Sequence, residues 1–325
     1  MTTTQDDARP QPAPAVAGVR TLVVDARREV AEDTVELTLR RPDGARLPDW
    51  APGAHLDLVL PDGRSRQYSL CGDRWDAHTY RIAVRREAQG RGGSVYLHDE
   101  AQIGDRLEFA GPRNNFRMTP APRVLLIAGG IGITPMLPML HQAIALELDW
   151  RLAYLGRSRA SLPYLDELEA LGDRVTVHAK DVDGRADLDS FRPDDPAVQV
   201  YACGPERMLD AVEAWAPALG HAPRMERFAA RADDRPRTPF EVVAARSGVA
   251  TPVGADETIV AALRRVGVDV ITSCAQGVCG TCETNVLEGT PDHRDSVLDE
   301  RSRDEGACLL PCVSRCLDRR LVLDL

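Results

Sequence analysis

Over its first third the chain alternates apolar and polar positions with a period near two. The runs TLVVDARREV (21–30), VELTLRR (35–41), HLDLVL (55–60), RQYSL (66–70), TYRIAVRR (79–86) and RLEFAG (106–111) are short and separated by Gly, Pro and Asp, so they predict strands. SVYLHDEAQIG (94–104) interrupts them with the spacing of a helix. Many short strands at such intervals predict a small antiparallel barrel. Near Arg123 the rhythm changes. VLLIAGG (124–130) is continuously apolar, and TPMLPMLHQAIALEL (134–148) follows at helical period. RLAYLGR, LPYLDELEALG, RVTVHAKD, VQVYACG and PERMLDAVEAWAPALG carry the strand–helix alternation to about Phe228, which predicts a parallel sheet with helices on both faces. Then comes AARADDRPRT (229–238), charged and aperiodic. Beyond it PFEVVAARSG and VATPVG predict a hairpin, ETIVAALRRVG an amphipathic helix and RLVLDL a terminal strand.

The chain therefore divides into a disordered Ala/Pro/Gln-rich tail (1–17), a β domain (18–118), an α/β domain (119–228), a linker (229–238) and a C-terminal domain (239–325). Its 325 residues, 43% of them hydrophobic, can supply a core for each. A formal net charge of −10 argues against a nucleic-acid partner, which would call for a basic face. The start, MTTTQDDARPQPAPAVAG, has acids and prolines where a secretory signal needs basic and apolar stretches. The longest uncharged run, Val124 to Leu140, is 17 residues and holds three glycines and two prolines, which suits no membrane span. We expect a cytoplasmic protein with reduced thiols, in which clustered cysteines suggest a metal site.

Such a cluster exists. Cys274, Cys279 and Cys282 in SCAQGVCGTC, with Cys312 in LLPCVSR, form C-x4-C-x2-C…C, the plant-type spacing for a 2Fe-2S cluster. A tight loop lets three thiolates converge on an inorganic core, and Gly277 and Gly280 let the backbone fold with amides toward the sulfurs. Zinc would more naturally show two C-x2-4-C pairs. Cys71, Cys203, Cys308 and Cys316 fall outside the spacing and read as small buried apolar residues. In RQYSL, Arg66, Tyr68 and Ser69 can present a guanidinium, a ring and a hydroxyl, although an exposed strand face would look the same. Gly92, Gly93 and Ser94, opening a helix, offer backbone amides to a phosphate. In AGGIGITP (128–135) the glycines permit close backbone approach, Thr134 can cap the next helix and Pro135 suits its first turn. YACGPERML (201–209) repeats this strand–turn–helix arrangement, and two such turns at strand C-termini would share one crevice.

In this order, Arg66-x-Tyr68-Ser69, Gly129-Gly130-Ile131-Gly132-Ile133-Thr134-Pro135, Cys203-Gly204-Pro205 and the four cysteines resemble the phthalate dioxygenase reductase family over residues 18–325. PRNNF (112–116) and DHRDSVL (292–298) extend the likeness. The resemblance implies a flavin-binding antiparallel β-barrel, a ferredoxin-reductase-like NAD-binding α/β domain and a C-terminal β-grasp 2Fe-2S ferredoxin domain. It implies that Arg66, Gln67, Tyr68 and Ser69 line the flavin, with Ser69 near its N5, and that Ala83, Val84 and Arg85 hold it. Gly92, Gly93 and Ser94 match the phosphate turn. Gly129, Gly130, Gly132, Thr134 and Pro135, with Cys203, Gly204 and Pro205, would place the nicotinamide, and Glu226 and Phe228 lie beside the flavin. Ser69, Thr134 and Cys203 are thereby expected at the reacting centre. Gln67 stands where a smaller residue is commoner, and Arg85 where lysine is usual.

The implied activity is that of an NADH-dependent reductase. Electrons would pass from NADH through FMN and the cluster to a partner oxygenase, a Rieske-type aromatic dioxygenase or O-demethylase, or alternatively to a cytochrome P450. A passive ferredoxin carrier would need broken flavin or nicotinamide motifs, and these are intact. FMN is expected over FAD because the only aromatic near the phosphate turn is Tyr96. NADH is expected over NADPH from the family pattern, although Arg157 and Arg159 leave room for a further phosphate.

Overall fold

The computed structural model describes residues 20–231 and 233–325, so the expected tail over 1–17 lies outside the described residues. Six strands, β1 (Arg20–Ala31), β2 (Thr34–Arg40), β3 (His55–Val59), β4 (Ser65–Ser69), β5 (Thr79–Arg85) and β6 (Arg106–Arg113), pair antiparallel in the order β4-β3-β6-β1-β2-β5. A bridge from Leu70 to Ile82 joins the two ends of that order, which closes the sheet. The inward set of the alternation fills the interior: Leu22, Val24, Leu37, Leu39, Leu56, Leu58, Ile82 and Phe109 are fully buried. Helix α1 (Gly93–Asp99) plugs one side through Leu97.

Five parallel strands follow, β7 (Arg123–Gly129), β8 (Asp149–Gly156), β9 (Val175–Ala179), β10 (Gln199–Cys203) and β11 (Arg224–Glu226), in the order β11-β10-β7-β8-β9. The chain reverses direction between β7 and β10, so the turns after these strands lie side by side at the C-terminal edge. Helices α2 (Met136–Ala145), α3 (Leu165–Glu169), α4 (Lys180–Asp183), α5 (Glu206–Glu213) and α6 (Ala216–Leu219) connect them. Leu126, Met136, Met139 and Tyr154 pack on one face of the sheet and Leu125, Ile127, Leu209, Val212 and Trp215 on the other. The first of these cores also contains Cys71, Ala83 and Phe116, so barrel and sheet share apolar interior. The sequence predicts a single helix over 205–220. Two form instead, because Pro217 opens α6 and cannot continue a hydrogen-bond ladder from α5.

The C-terminal part is a mixed sheet, β13-β12-β18-β14-β16, of the β-grasp kind. Here β12 (Phe240–Ala244) and β13 (Val249–Val253) are the expected hairpin, α7 (Ile259–Arg265) the expected helix, and β18 (Arg320–Leu323) the expected terminal strand, parallel to β12. The sequence did not signal β14 (Thr284–Glu288), β15 (Pro291–Asp292), β16 (Cys308–Leu309), β17 (Arg315–Cys316) or α8 (Glu300–Glu305). Strands of two residues are too short to show a period.

Candidate functional site

At the C-terminal edge of the parallel sheet, β7 runs into a 3-10 turn over Gly130–Ile133, with Gly130 at φ 54°. The turn is pressed against the end of β10. A Cβ on Gly132 would stand 2.1 Å from the Cys203 carbonyl oxygen, and one on Gly204 would stand 2.9 Å from the Gly129 Cα. Only glycine permits this approach. Thr134 does not cap α2. It is buried and its hydroxyl donates to the Ile131 carbonyl at 2.9 Å, closing the 3-10 turn, while Pro135 takes the position before the helix. Cys203 is fully buried and its thiol is pushed well above the ordinary range, first by burial and then by Glu226. It remains a neutral thiol that fills space behind the turn.

Glu226 ends β11 opposite Cys203. Its Oε2 is shielded and has no hydrogen-bond partner, and burial pushes its carboxyl up to about 8. The crevice in front holds a cavity of about 250 Å³ lined by Arg85, Gly129, Gly132, Gly204, Pro205 and half-exposed Phe228. A second cavity, about 490 Å³, continues from Arg85, Gly129 and Gly130 toward the ends of β8 and β9. Arg85 belongs to the barrel, so barrel and sheet meet across this crevice.

On the barrel, Arg66 donates to the Ser65 carbonyl at 2.8 Å and to the Arg91 carbonyl at 2.9 Å. Its guanidinium is held below the usual arginine range by burial, then by Arg91 and Arg64. A Cβ on Gly93 would meet the Arg66 Cγ at 2.7 Å, so the turn before α1 rests on that side chain. The Ser94 hydroxyl accepts from the Glu87 amide at 3.0 Å. Tyr68 is half-buried with its hydroxyl pushed up by burial, and Ser69 is buried at the end of β4. Ala83 and Val84 are buried just before Arg85. Gln67 behaves differently from its neighbours: its amide donates to Asp57 and, at 2.5 Å, to Ser273 of the cysteine loop.

Cys274, Cys279, Cys282 and Cys312 are all at most 5% exposed. The Cys279 thiol lies near enough to Cys274, and the Cys312 thiol near enough to Cys274 and Cys282, for each to be shifted by those neighbours, so the four thiols form one connected group. Among the described residues no three His, Cys, Asp or Glu side chains converge on a single ion. The all-thiol set suits a two-iron core, which spreads its ligands in pairs. Gly277 and Gly280 both sit at φ 68°, and the Gln276 amide donates to the Cys274 sulfur at 3.3 Å. Cys308 lies in β16 opposite Asn285, and the Cys316 thiol donates to the Arg320 carbonyl.

The loop is tethered to the barrel by residues that sequence reasoning did not single out. Arg91 donates to the Cys274 carbonyl at 3.1 Å and to Gln276, and Asn115 donates to the Cys279 carbonyl at 2.8 Å. The Ser273 hydroxyl donates to Asp57 and is hydrogen-bonded with the Ser65 hydroxyl, at 3.0 Å each. Asp57 is fully buried and ion-paired with Arg113. These partners lie some 160 to 220 positions apart, beyond any local pattern.

Family models match in three consecutive pieces: an oxidoreductase FAD-binding domain at 21–118, an oxidoreductase NAD-binding domain at 126–214 and a 2Fe-2S iron-sulfur cluster binding domain at 242–317. The phthalate dioxygenase reductase of Burkholderia cepacia is 38% identical over the full length of both chains. The chain belongs to the phthalate dioxygenase reductase family. Within that family it is 44% identical to the putative toluene-4-sulfonate monooxygenase system reductase subunit of Comamonas testosteroni, covering 94% of this chain and 98% of that one. A solved intact type IV self-sufficient cytochrome P450 monooxygenase also matches, at 40% identity and a TM-score of 0.86, with 94% of this chain covered. The present chain corresponds to 41% of that longer one. Like the family's modular plan, this chain places flavin barrel, nucleotide sheet and cluster domain in sequence, and no helix among the described residues is long and apolar enough to cross a membrane.

Proposed function

We infer that the chain is the NADH-dependent reductase component of an oxygenase system, carrying electrons from NADH through a flavin and a 2Fe-2S cluster to a partner oxygenase. The observation that carries this is the continuity of the three sites. Arg85 lines the nucleotide crevice at the end of a barrel strand, while β4 and the turn before α1 touch the cysteine loop through Gln67 and Arg91. When bound, a flavin takes hydride from NADH as an electron pair and a two-iron cluster takes electrons singly; that is the chemistry the groups supply.

The chain's own residues position them. Gly129, Gly130, Gly132, Thr134 and Pro135, with Cys203, Gly204 and Pro205, shape the nicotinamide site, and the unpartnered Glu226 carboxyl and Phe228 border it. Arg66, Tyr68, Ser69, Ala83, Val84 and Arg85 hold the flavin, and Gly92, Gly93 and Ser94 its phosphate. Gln67 bridges flavin strand and cluster loop. Cys274, Cys279, Cys282 and Cys312 ligate the cluster. The flavin we assign is FMN. Tyr96, the one aromatic beside the phosphate turn, packs against the barrel core rather than offering a platform for adenine. Heat release of the cofactor checks this: adenine absorbance in the extract overturns FMN. We assign the cytoplasm as its location because four cysteines are grouped for a metal core and none of the eight pairs in a disulfide, as suits a reducing compartment.

A Rieske-type oxygenase is our first choice of acceptor, and the likeness to a self-sufficient P450 favours a cytochrome P450 as the second. Anaerobic stopped-flow mixing with NADH tests the core of the reading. Flavin bleaching followed by cluster reduction is expected, and silence at both wavelengths overturns it.

A further inference from the structure

Of the five arginines and lysines that line the 490 Å³ cavity, Arg85 pairs with Glu87, whereas Arg157, Lys180, Arg185 and Arg207 make no salt bridge or side-chain hydrogen bond among the described residues. Elsewhere the chain's arginines are mostly engaged. Arg159, two residues from Arg157, is paired with Glu169 at 2.5 Å and faces a different cavity beside Arg28 and Glu167. The two arginines of this loop are thus separated, one spent on an ion pair and one left toward the crevice.

Their placement separates their roles. Arg207 stands in the first turn of α5, beside Pro205 and the glycine turn after β7, where a pyrophosphate common to all nicotinamide nucleotides would lie. Arg157 follows β8 and Lys180 follows β9, one and two strands farther from that turn, with Arg185 just beyond α4. A dinucleotide crossing the C-terminal edge puts its adenosine ribose there, at the end of the second strand. A protein reading the free ribose hydroxyl carries a carboxylate at that point, whereas arginine accommodates a 2′-phosphate. The acids in the cavity, Glu32 and Asp33, come from the barrel turn between β1 and β2, not from β8.

We propose that Arg157, Lys180 and Arg185 form a site for the 2′-phosphate of a nicotinamide nucleotide, so that NADPH serves as an electron donor alongside NADH. The proposal rests on the reading of this crevice as the nucleotide site. The test uses the holoprotein and the variants Arg157→Ala, Lys180→Ala and the pair. Calorimetric binding of 2′,5′-ADP and of 5′-AMP, which lacks only the 2′-phosphate, reports the site without turnover. Wild type is expected to bind 2′,5′-ADP at least about tenfold more tightly, roughly what one charge-assisted hydrogen bond supplies. The double variant loses that difference. In parallel, its kcat/KM for NADPH falls at least about tenfold, through KM, while that for NADH changes less than about twofold. Equal binding of the two probes to wild type, or equal weakening of both in the variants, overturns the proposal. If neither nucleotide reduces the flavin although 2′,5′-ADP still binds preferentially, the reductase reading falls and the phosphate site stands.

Discussion

Cys308, Cys312 and Cys316 are spaced four apart, so only one register can complete the cluster. Cys312 lies near Cys274 and Cys282, while Cys308 is committed to β16 and the Cys316 thiol to a carbonyl. Cys312→Ser is therefore expected to abolish the 2Fe-2S visible spectrum and lower bound iron, and Cys308→Ser to leave both intact. Iron counts with the opposite pattern would refute the assignment. Glu226 supports a second expectation. Its carboxyl titrates near 4.5 in an open chain and near 8 when folded, because burial disfavours the charge. The folded chain holds this proton more tightly, so the contribution to stability is complete below about pH 4.5 and is lost as pH rises through about 8. Between pH 6 and pH 9 the melting temperature of wild type should fall more steeply than that of Glu226→Gln. Parallel curves would show that the carboxyl ionises freely.

At the scale of elements, the two turns after β7 and β10 act as one unit because glycines interleave them. Gly132→Ala places a methyl 2.1 Å from the Cys203 carbonyl, a backbone atom that can yield only if a whole turn shifts. We expect the rate of flavin reduction by NADH to drop at least about tenfold, since small displacements of reacting groups cost rates of that order or more. Flavin content and the cluster spectrum should stay at wild-type levels. A variant that keeps its reduction rate would mean that the two turns are not held in contact. Thr134 belongs to the same lesson. Its sequence context reads as a helix cap, but a 3-10 turn inserted before α2 recruits its hydroxyl one turn earlier.

In the whole molecule, the cluster domain is joined to the barrel by polar contacts around a buried ion pair. Asp57→Asn would leave Arg113 without its partner. Breaking such pairs costs about 3–5 kcal/mol, and partial exposure of Arg113 places this case at the low end. A milder change, Arg91→Ala, removes two contacts to the cysteine loop without touching a thiol. It should leave NADH-driven flavin reduction unchanged and slow the later cluster phase several-fold in stopped flow. Slowing of the first phase alone would place Arg91 in flavin binding and not in docking.

The sequence alone determined the elements whose signal is local. Periodicity marked the barrel strands, the first four parallel strands and α7 but not the three-residue β11, and the spacing C-x4-C-x2-C with Gly277 and Gly280 marked the cysteine loop, because neighbouring residues carry those patterns. It also ordered the flavin, nucleotide and cluster segments along the chain. What it left undecided depends on residues far apart. The division of 205–220 into α5 and α6, the two-residue strands, and the turn of Gln67 away from Arg66 and toward Ser273 follow from packing, which has no period. The same holds for the separation of Arg157 from Arg159: both read alike in GRSRAS, and only the folded surroundings pair one with Glu169 and leave the other facing the crevice. A hydrogen bond or ion pair is chosen by what the fold brings within about 3 Å, and that distance is a property of tertiary structure.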